Sequence, residues 1–380
     1  DEAAVVATIK GLIVTSPDSG DQLADSVEPV EGQRLIVVTD RSTFYGESGG
    51  QVGDAGRIEH EQGVFVVEDT QKDAGLLLHY GYLASGCLSA GDKVTVVFDI
   101  EQRQAIRRAH SATHILHHAL QTNLGTHAQQ QGSKVEMDWL RFDFTNMEAV
   151  ADDVLLKIEL DVNELVQAHE SIQWEVLPLA AARSQGAMML FGEKYPDPVR
   201  MVSMGEFSRE LCGGTHLSNT GDVLQLEIIS EEAVSAGTRR IIALTGERCQ
   251  KHHVEMTELY ARLLGLLSPD GDKAGSGGLL ECIAAVAWRV RALKKQLAGG
   301  GAVEQADSPA VGSTAVAELG YQQMRSALRR GARLLNVAVG DLMARVEAML
   351  QECDRLQEEI AQQATSDDLS ADSLLEQGEE

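Results

Sequence analysis

The sequence predicts an α+β fold: a small β-barrel, then an α/β sandwich, then antiparallel helical hairpins with coiled-coil spacing. Three observations lead there. The first hundred residues are short β-branched runs separated by Gly, Asp and Ser clusters. At "FDIEQRQAIRRAH" the apolar period lengthens from that of a strand to that of a helix. Beyond Gly246 the texture is helical, and apolar residues step alternately by four and three.

Taken in order, residues 1–98 supply the barrel strands, among them "AVVATIKGLIV", "RLIVVTD", "GVFVVED" and "KVTVVFDI". Asp99, with Gln102 three residues on, is spaced as a capping box and starts a helix reaching about Gln121. Within 99–246, strands such as "VEMDWLRFDF", "VLQLEII" and "RRIIALTG" accompany a second helix at 148–170. Its apolar residues at 154, 155, 158, 162, 165 and 166 keep a helical period.

Residues 247–297 read as a helical hairpin, 298–318 as a linker and 319–364 as a second hairpin. One heptad segment uses Leu279, Ile283, Val286, Val290, Leu293 and Leu297; the other uses Leu342, Val346, Met349, Cys353, Leu356 and Ile360. "ARLLGLLSPD" and "ARLLNVAVGD" precede them, so the unit reads as duplicated. Residues 365–380 are acidic and read as a disordered tail.

Composition narrows the function. Net charge is −26, from 58 acidic and 32 basic residues, which disfavours a whole-surface nucleic-acid binder but leaves room for a local basic groove. Aromatics at 4% argue against a stacking platform for single strands. No apolar run reaches 18 residues, and the N-terminus has no signal-peptide pattern. Five cysteines without paired spacing fit a reducing, cytoplasmic setting.

Chemistry enters at "RRAHSATHILHH". His110 and His114 are four apart, so on a helix both imidazoles leave one face. About a hundred residues later "RELCGGTHLS" places Cys212 and His216 four apart, with Gly213 and Gly214 between them. Imidazoles with one thiolate suit Zn2+, which prefers four tetrahedral N/S ligands. His117 and His118 read as structural. Ser111 stands where a zinc protease of the H-E-x-x-H type carries its general base, so proteolysis drops out. "GSK" at 132–134 lacks the glycine spacing of a P-loop. Cys249, Cys282 and Cys353 read as small apolar fillers.

Four blocks in order carry a family resemblance: "DRSTFYGESGGQVGDAG" (40–56), "HSATHILHHAL" (110–120), "THAQQQGSKV…LRFDF" (126–144) and "SRELCGGTHLSNTGDVLQLEIISEEAVSAGTRRI" (208–241). They resemble the editing domain of alanyl-tRNA synthetases and of the stand-alone alanyl-tRNA editing proteins. The likeness covers roughly 1–246. The chain beyond Gly246 resembles the family's linking helical hairpin, duplicated. The aminoacylation domain and the basic C-terminal module of a complete synthetase are not recognisable in the chain.

The resemblance implies hydrolysis of the ester that joins serine or glycine, wrongly, to the 3′ end of the alanine tRNA. It places zinc on His110, His114, Cys212 and His216, with catalysis exerted through that metal. It assigns substrate contacts to Thr113 and Gln130, and to Gly49 and Gly50 in the "ESGGQ" turn near the acceptor end. Apart from the resemblance, Arg239 and Arg240 are candidates to face phosphate, Arg239 being taken as the substrate contact, with a structural ion pair as the alternative for one of the two. Four protein ligands usually close a zinc site. The metal would therefore expand its coordination, lose a ligand, or only orient the substrate while water attacks from elsewhere. The implied partner is the mischarged alanine tRNA, with self-association through the helices and no DNA or membrane. The rival reading is a degenerate editing fold that keeps zinc structurally and serves as a coiled-coil dimerisation scaffold.

Overall fold

The computed structural model describes residues 3–15, 20–189, 195–267, 278–298 and 320–376, with side chains described as far as 365 in the last helix. It has two compact units, Asp1–Gln250 and Lys251–Glu380. Among the described residues no helix is long and apolar enough to cross a membrane.

Strands β1 (Ala4–Thr15), β2 (Gln22–Ala24), β3 (Ser26–Val27), β4 (Arg34–Thr39), β5 (Gly56–His60), β6 (Gly63–Asp73), β7 (Leu76–Gly86), β8 (Leu88–Ser89) and β9 (Lys93–Phe98) come first. Six of them close a barrel in the order β1-β4-β7-β6-β5-β9, with β9 returning to β1, while β2 extends the β1 edge. Alternation makes the closure work: in β6, Phe65 and Val67 point inward while Val64 and Val66 are only partly covered. Ile9, Leu12, Val37, Ile58, Phe65 and Val96 fill the interior. The expected small barrel is present.

Helix α1 (Ile100–Leu124) follows, three residues longer than its predicted end, and Gly125 caps it. Asp99 accepts from the Gln102 backbone N–H at 3.0 Å, but Gln102 does not reciprocate. Its side chain accepts from Ala55 N at 2.8 Å instead, so half of the expected capping box is spent on tying α1 to the barrel.

The hairpin β10 (Gln130–Glu136) and β11 (Trp139–Thr145) comes next, then α2 (Asp152–Gln167), β12 (Ile172–Leu177) and the short α3 (Leu179–Ser184). Strands β13 (Val199–Met204), β14 (Ser208–Leu211), β15 (Leu226–Ser235) and β16 (Thr238–Thr245) complete this part. A four-stranded antiparallel sheet runs β10-β11-β16-β15, and a three-stranded one runs β12-β13-β14. The second sheet was not legible in the sequence. Helices α1 and α2 cover the four-stranded sheet with Ile106, Ile115, Leu116, Leu120, Ile158 and Val162. Phe142, Phe144, Ile228 and Ile241 meet them from the sheet.

Helix α4 (Gly246–Leu267) continues into the second unit, which holds α5 (Leu279–Leu297), α6 (Tyr321–Leu335) and α7 (Leu342–Glu376). Most heptad positions are buried, with Val286, Leu293, Leu297 and Ile360 only partly covered, and the two heptad segments meet each other. Leu279 and Ile283 share a cluster with Leu342 and Val346, and Ala287 and Val290 share one with Met349 and Cys353. Residue numbers rise together on both helices, so α5 and α7 run parallel; Lys294 pairs with Glu352 at 2.8 Å further along the same seam. Between them in sequence, α6 lends Leu328 and Ala332 to the same core. The seam is thus filled within one chain. In the repeated "ARLL" stretches, Leu263 is buried while Leu334 is exposed.

Most of the expected linker at 298–318 lies outside the described residues. Helix α7 runs past the last heptad position, Ile360, to Glu376, into the segment expected as a disordered tail. Residues 361–376 contain no Gly or Pro, so an established helix meets nothing to stop it there.

Candidate metal centre

Helix α1 is buried along most of its length, so its polar residues at 110, 111, 113, 114 and 117 are placed inside the protein. His110 and His114 leave one face with their rings stacked, centroids 5.4 Å apart. Across from them, the chain leaves β14 at Leu211 and runs without regular structure through Cys212 and His216. Arg200 on β13 holds that loop by donating to the carbonyls of Cys212 and Gly214, each at 2.8 Å. The carbonyl of Arg200 accepts from Cys212 N at 3.2 Å.

The four predicted ligands converge. One ligand atom from each of His110, His114, Cys212 and His216 lies within 4.8 Å of every other. Sγ of Cys212 stands 3.4 Å from Nε2 of His110 and 3.3 Å from Nε2 of His216. Nε2 of His114 is buried without a hydrogen-bond partner. An orphaned imidazole nitrogen facing a thiolate and two further imidazoles is a donor set that fits a soft-to-borderline cation.

Each ring is also held from behind. Nδ1 of His110 is 2.7 Å from Oε1 of Gln51, and Nδ1 of His114 is 2.7 Å from Oε2 of Glu210. Nδ1 of His216 is 3.2 Å from Oγ of Ser111, which also accepts from Leu217 N at 3.1 Å. Such outer contacts orient metal-binding histidines and raise their basicity. Ser111, which replaces the protease base, thus supports a ring.

The electrostatics arise from this packing. Burial favours the neutral thiol of Cys212, but the adjacent His110 and His216 rings overcome it and hold the thiol well below its usual range. Burial also disfavours a charged His114, yet Glu210 and Cys212 raise it well above 6.5. His216, buried beside His110, is pushed down to about 3. Burial resists ionisation of Glu210 too, but His114 and His117 hold its carboxyl far below the usual range.

Only one of the two loop glycines is sterically required. A Cβ at Gly214 would collide with Cε1 and Nδ1 of the His110 ring, whereas one at Gly213 would meet nothing within 4 Å. Close approach, more than a tight turn, explains Gly214.

A cavity of about 620 Å³ opens beside the cluster, lined among others by Tyr45, Gly49, Gly50, Thr113, Gln130 and Cys212. Four predicted substrate contacts are therefore brought together there. The Thr113 hydroxyl donates to Ala109 O at 2.8 Å, which leaves its oxygen as an acceptor towards the cavity. Gln130 donates to Ser133 Oγ at 3.1 Å, next to a register slip between Gln130 and Gly132. That bulge turns Gln130 and Gln131 to the same opening. Burial, and the charge of Cys212 after it, push the Tyr45 phenol up to about 12, so it stays a donor.

Arg239 does not join them. Its guanidinium is engaged by Glu231, at 2.5 and 2.7 Å, and Arg240 is engaged by Asp143, at 2.6 and 2.9 Å. Both are ion pairs of the four-stranded sheet. His117 packs its ring on Phe142 and His118 on Phe207, outside the cluster as expected. Sequence reasoning missed Gln51, Glu210, Arg200 and Tyr45. All four lie inside the quoted blocks or just before them, but nothing in one sequence distinguishes them from their neighbours.

Comparison with known proteins gives the same family. A family model described as tRNA synthetases class II (A) matches residues 6–102, and one described as the threonyl and alanyl tRNA synthetase second additional domain matches 199–242. An alanine–tRNA ligase from Rhodopirellula baltica is 45% identical over 386 aligned residues, covering 100% of this chain and 40% of that protein. The chain is homologous to part of the alanine–tRNA ligases. Those of Dichelobacter nodosus (43% identical, 80% of this chain, 34% of that protein) and Dechloromonas aromatica (45%, 62% and 27%) agree. The chain thus spans between about a quarter and two-fifths of the length of these relatives. The first match falls on the barrel and the start of α1, and the second holds both Cys212 and His216. His110 and His114 lie in neither match, but the alignment with the Rhodopirellula baltica ligase spans the whole chain and so includes all four residues.

Proposed function

We propose that this chain is an editing region which hydrolyses seryl- or glycyl-tRNA(Ala), with Zn2+ held by His110, His114, Cys212 and His216. The observation that carries the reading is the convergence of those four donors, three of which, His110, His114 and Cys212, line the adjoining cavity. Zinc bound there would supply positive charge that can polarise a carbonyl or lower the pKa of a water. The remaining work falls to the chain. Thr113 and Gln130 offer polar partners to the hydroxyl of a serine side chain. Alanine has none and forgoes those hydrogen bonds, and a site built on hydrogen bonds rejects such a substrate strongly. Tyr45 and the Gly49–Gly50 backbone flank the opening where the acceptor end would enter. An aminoacyl ester is already activated, so positioning and charge stabilisation are enough for useful rates.

A pure scaffold has no need of a cavity lined with Thr113, Gln130 and Tyr45, and the heptad seam is occupied within the chain. The alanine tRNA is the proposed partner and the cytoplasm the proposed site of action. The deciding experiment compares deacylation of seryl-tRNA(Ala) and alanyl-tRNA(Ala), with Cys212→Ala as control. Loss of serine alone, abolished by the substitution, is the expected result. A folded, zinc-loaded chain that spares both esters would overturn the reading.

A further inference from the structure

Two of the three outer contacts to the histidine rings come from the same layer as the rings. The third, Gln51, comes from the segment between β4 and β5, on the barrel side of the chain. Gln51 is completely buried. Its amide has one possible orientation. Oε1 accepts from Thr215 N at 2.8 Å, and Nε2 donates to Thr215 Oγ1 at 2.9 Å. The same Oε1 lies 2.7 Å from Nδ1 of His110 and can only accept there. The ring must then carry its proton on Nδ1. In the neutral ring that leaves the lone pair on Nε2, the nitrogen that faces Cys212 Sγ at 3.4 Å.

The backbone around Gln51 is fixed as firmly as its side chain. Gln51 bridges Val135 of β10, flanked by Val135 N donating to Gly50 O at 2.8 Å and Val52 N donating to Val135 O at 3.1 Å. Gly50 has φ of +85°, and a Cβ on it would lie 2.5 Å from Ser133 O. Only glycine allows that approach.

We propose that Gln51 is the positioning residue for His110: from the barrel side it fixes the imidazole proton on Nδ1 and presents Nε2 to the metal. Seating the barrel segment on β10 is therefore part of building the metal centre. The same residue ties down Thr215, so one amide couples a ligand on α1 to the loop that carries Cys212 and His216.

The inference rests on the zinc reading, and the test separates the two. In the full chain, 15N NMR of the zinc-free protein reports the tautomer of His110, and competition with a chromophoric chelator reports zinc affinity. The wild type is expected to show the Nδ1–H form. Gln51→Ala is expected to lose it and to bind zinc about 10–100-fold more weakly, the usual penalty for deleting an outer contact. Gln51→Glu, which keeps an oxygen acceptor at the same place, is expected to retain the tautomer and most of the affinity, and so answers the case in which Gln51→Ala misfolds. An Nε2–H ring in the wild type, or unchanged affinity in folded Gln51→Ala, overturns the proposal. A wild-type chain that binds no zinc sinks the metal reading alone, while the tautomer still rules on Gln51.

Discussion

Nδ1 of His114 lies 2.7 Å from Oε2 of Glu210, and the other oxygen of that carboxylate lies 3.5 Å from Nδ1 of His117. One buried carboxylate thus faces two rings of α1, of which only His114 belongs to the cluster. Glu210→Gln keeps an acceptor but removes the charge that favours a basic Nε2. Zinc affinity is expected to fall about 10–100-fold, with far-ultraviolet circular dichroism unchanged. Chelator competition measures it, and an affinity equal to wild type would mean that Glu210 is there for packing alone.

The two loop glycines make a paired test. Gly214→Ala drives a methyl into the His110 ring and is expected to cost about 1–3 kcal/mol of stability together with metal binding. Gly213→Ala, with open space at its Cβ, is expected to bind zinc normally. Thermal unfolding with and without zinc distinguishes them, and equal behaviour would refute the close-approach argument.

Arg103 and Asp54 form a buried pair that joins α1 to the barrel. Nε of Arg103 donates to both Asp54 oxygens, at 2.8 and 3.0 Å, and Nη2 donates to Thr43 O at 3.0 Å. Removing one partner strands a buried charge, so Asp54→Ala is expected to cost about 3–5 kcal/mol in urea unfolding. A double replacement by apolar residues of similar volume should recover much of that loss; if it does not, the pair contributes more than its own burial costs.

Barrel stability should carry a pH signature from His79. Its Nδ1 donates to Val37 O at 2.8 Å and its Nε2 accepts from Ser42 Oγ at 2.8 Å, a neutral ring in a buried place. Burial lowers its pKa from 6.5, with the Val37 contact opposing. Below pH 6.5 the unfolded chain therefore binds a proton that the folded chain refuses. The contribution is whole above that pH and is lost as pH falls towards the lowered value. His79→Gln is expected to flatten the fall, seen as the difference between the two proteins in denaturant unfolding from about pH 5 to 8. Parallel curves would count against it.

Selectivity should reside in Thr113 and Gln130 rather than in Arg239. Gln130→Ala and Thr113→Val are expected to cut seryl-tRNA(Ala) hydrolysis about tenfold or more while leaving zinc bound, as loss of a hydrogen bond to a substrate hydroxyl does. Arg239→Ala should leave the rate within about twofold, because its partner is Glu231 of the neighbouring strand and it does not line the cavity beside the cluster. A large rate loss in Arg239→Ala would restore its reading as a substrate contact.

The sequence by itself determined the β-rich first part, the helices α1 and α2 and the identity of the four convergent donors, because each is written in local periods or in fixed spacings. His110 with His114, and Cys212 with His216, are encounters within one turn or one loop. Most of the heptad positions on α5 and α7 were likewise legible as buried. Tertiary structure alone decided which way those two helices run, since a seam pattern reads the same for parallel and antiparallel partners. It also paired Arg239 with Glu231, a contact set by strand register. Above all it set Gln51, Ser111 and Glu210 behind the three rings. Glu210 is roughly a hundred residues from His114 in sequence, and Gln51 is fifty-nine from His110, so no local period links them. Only closing the barrel, seating it on β10 and laying β14 across α1 brings their oxygens to a ring nitrogen.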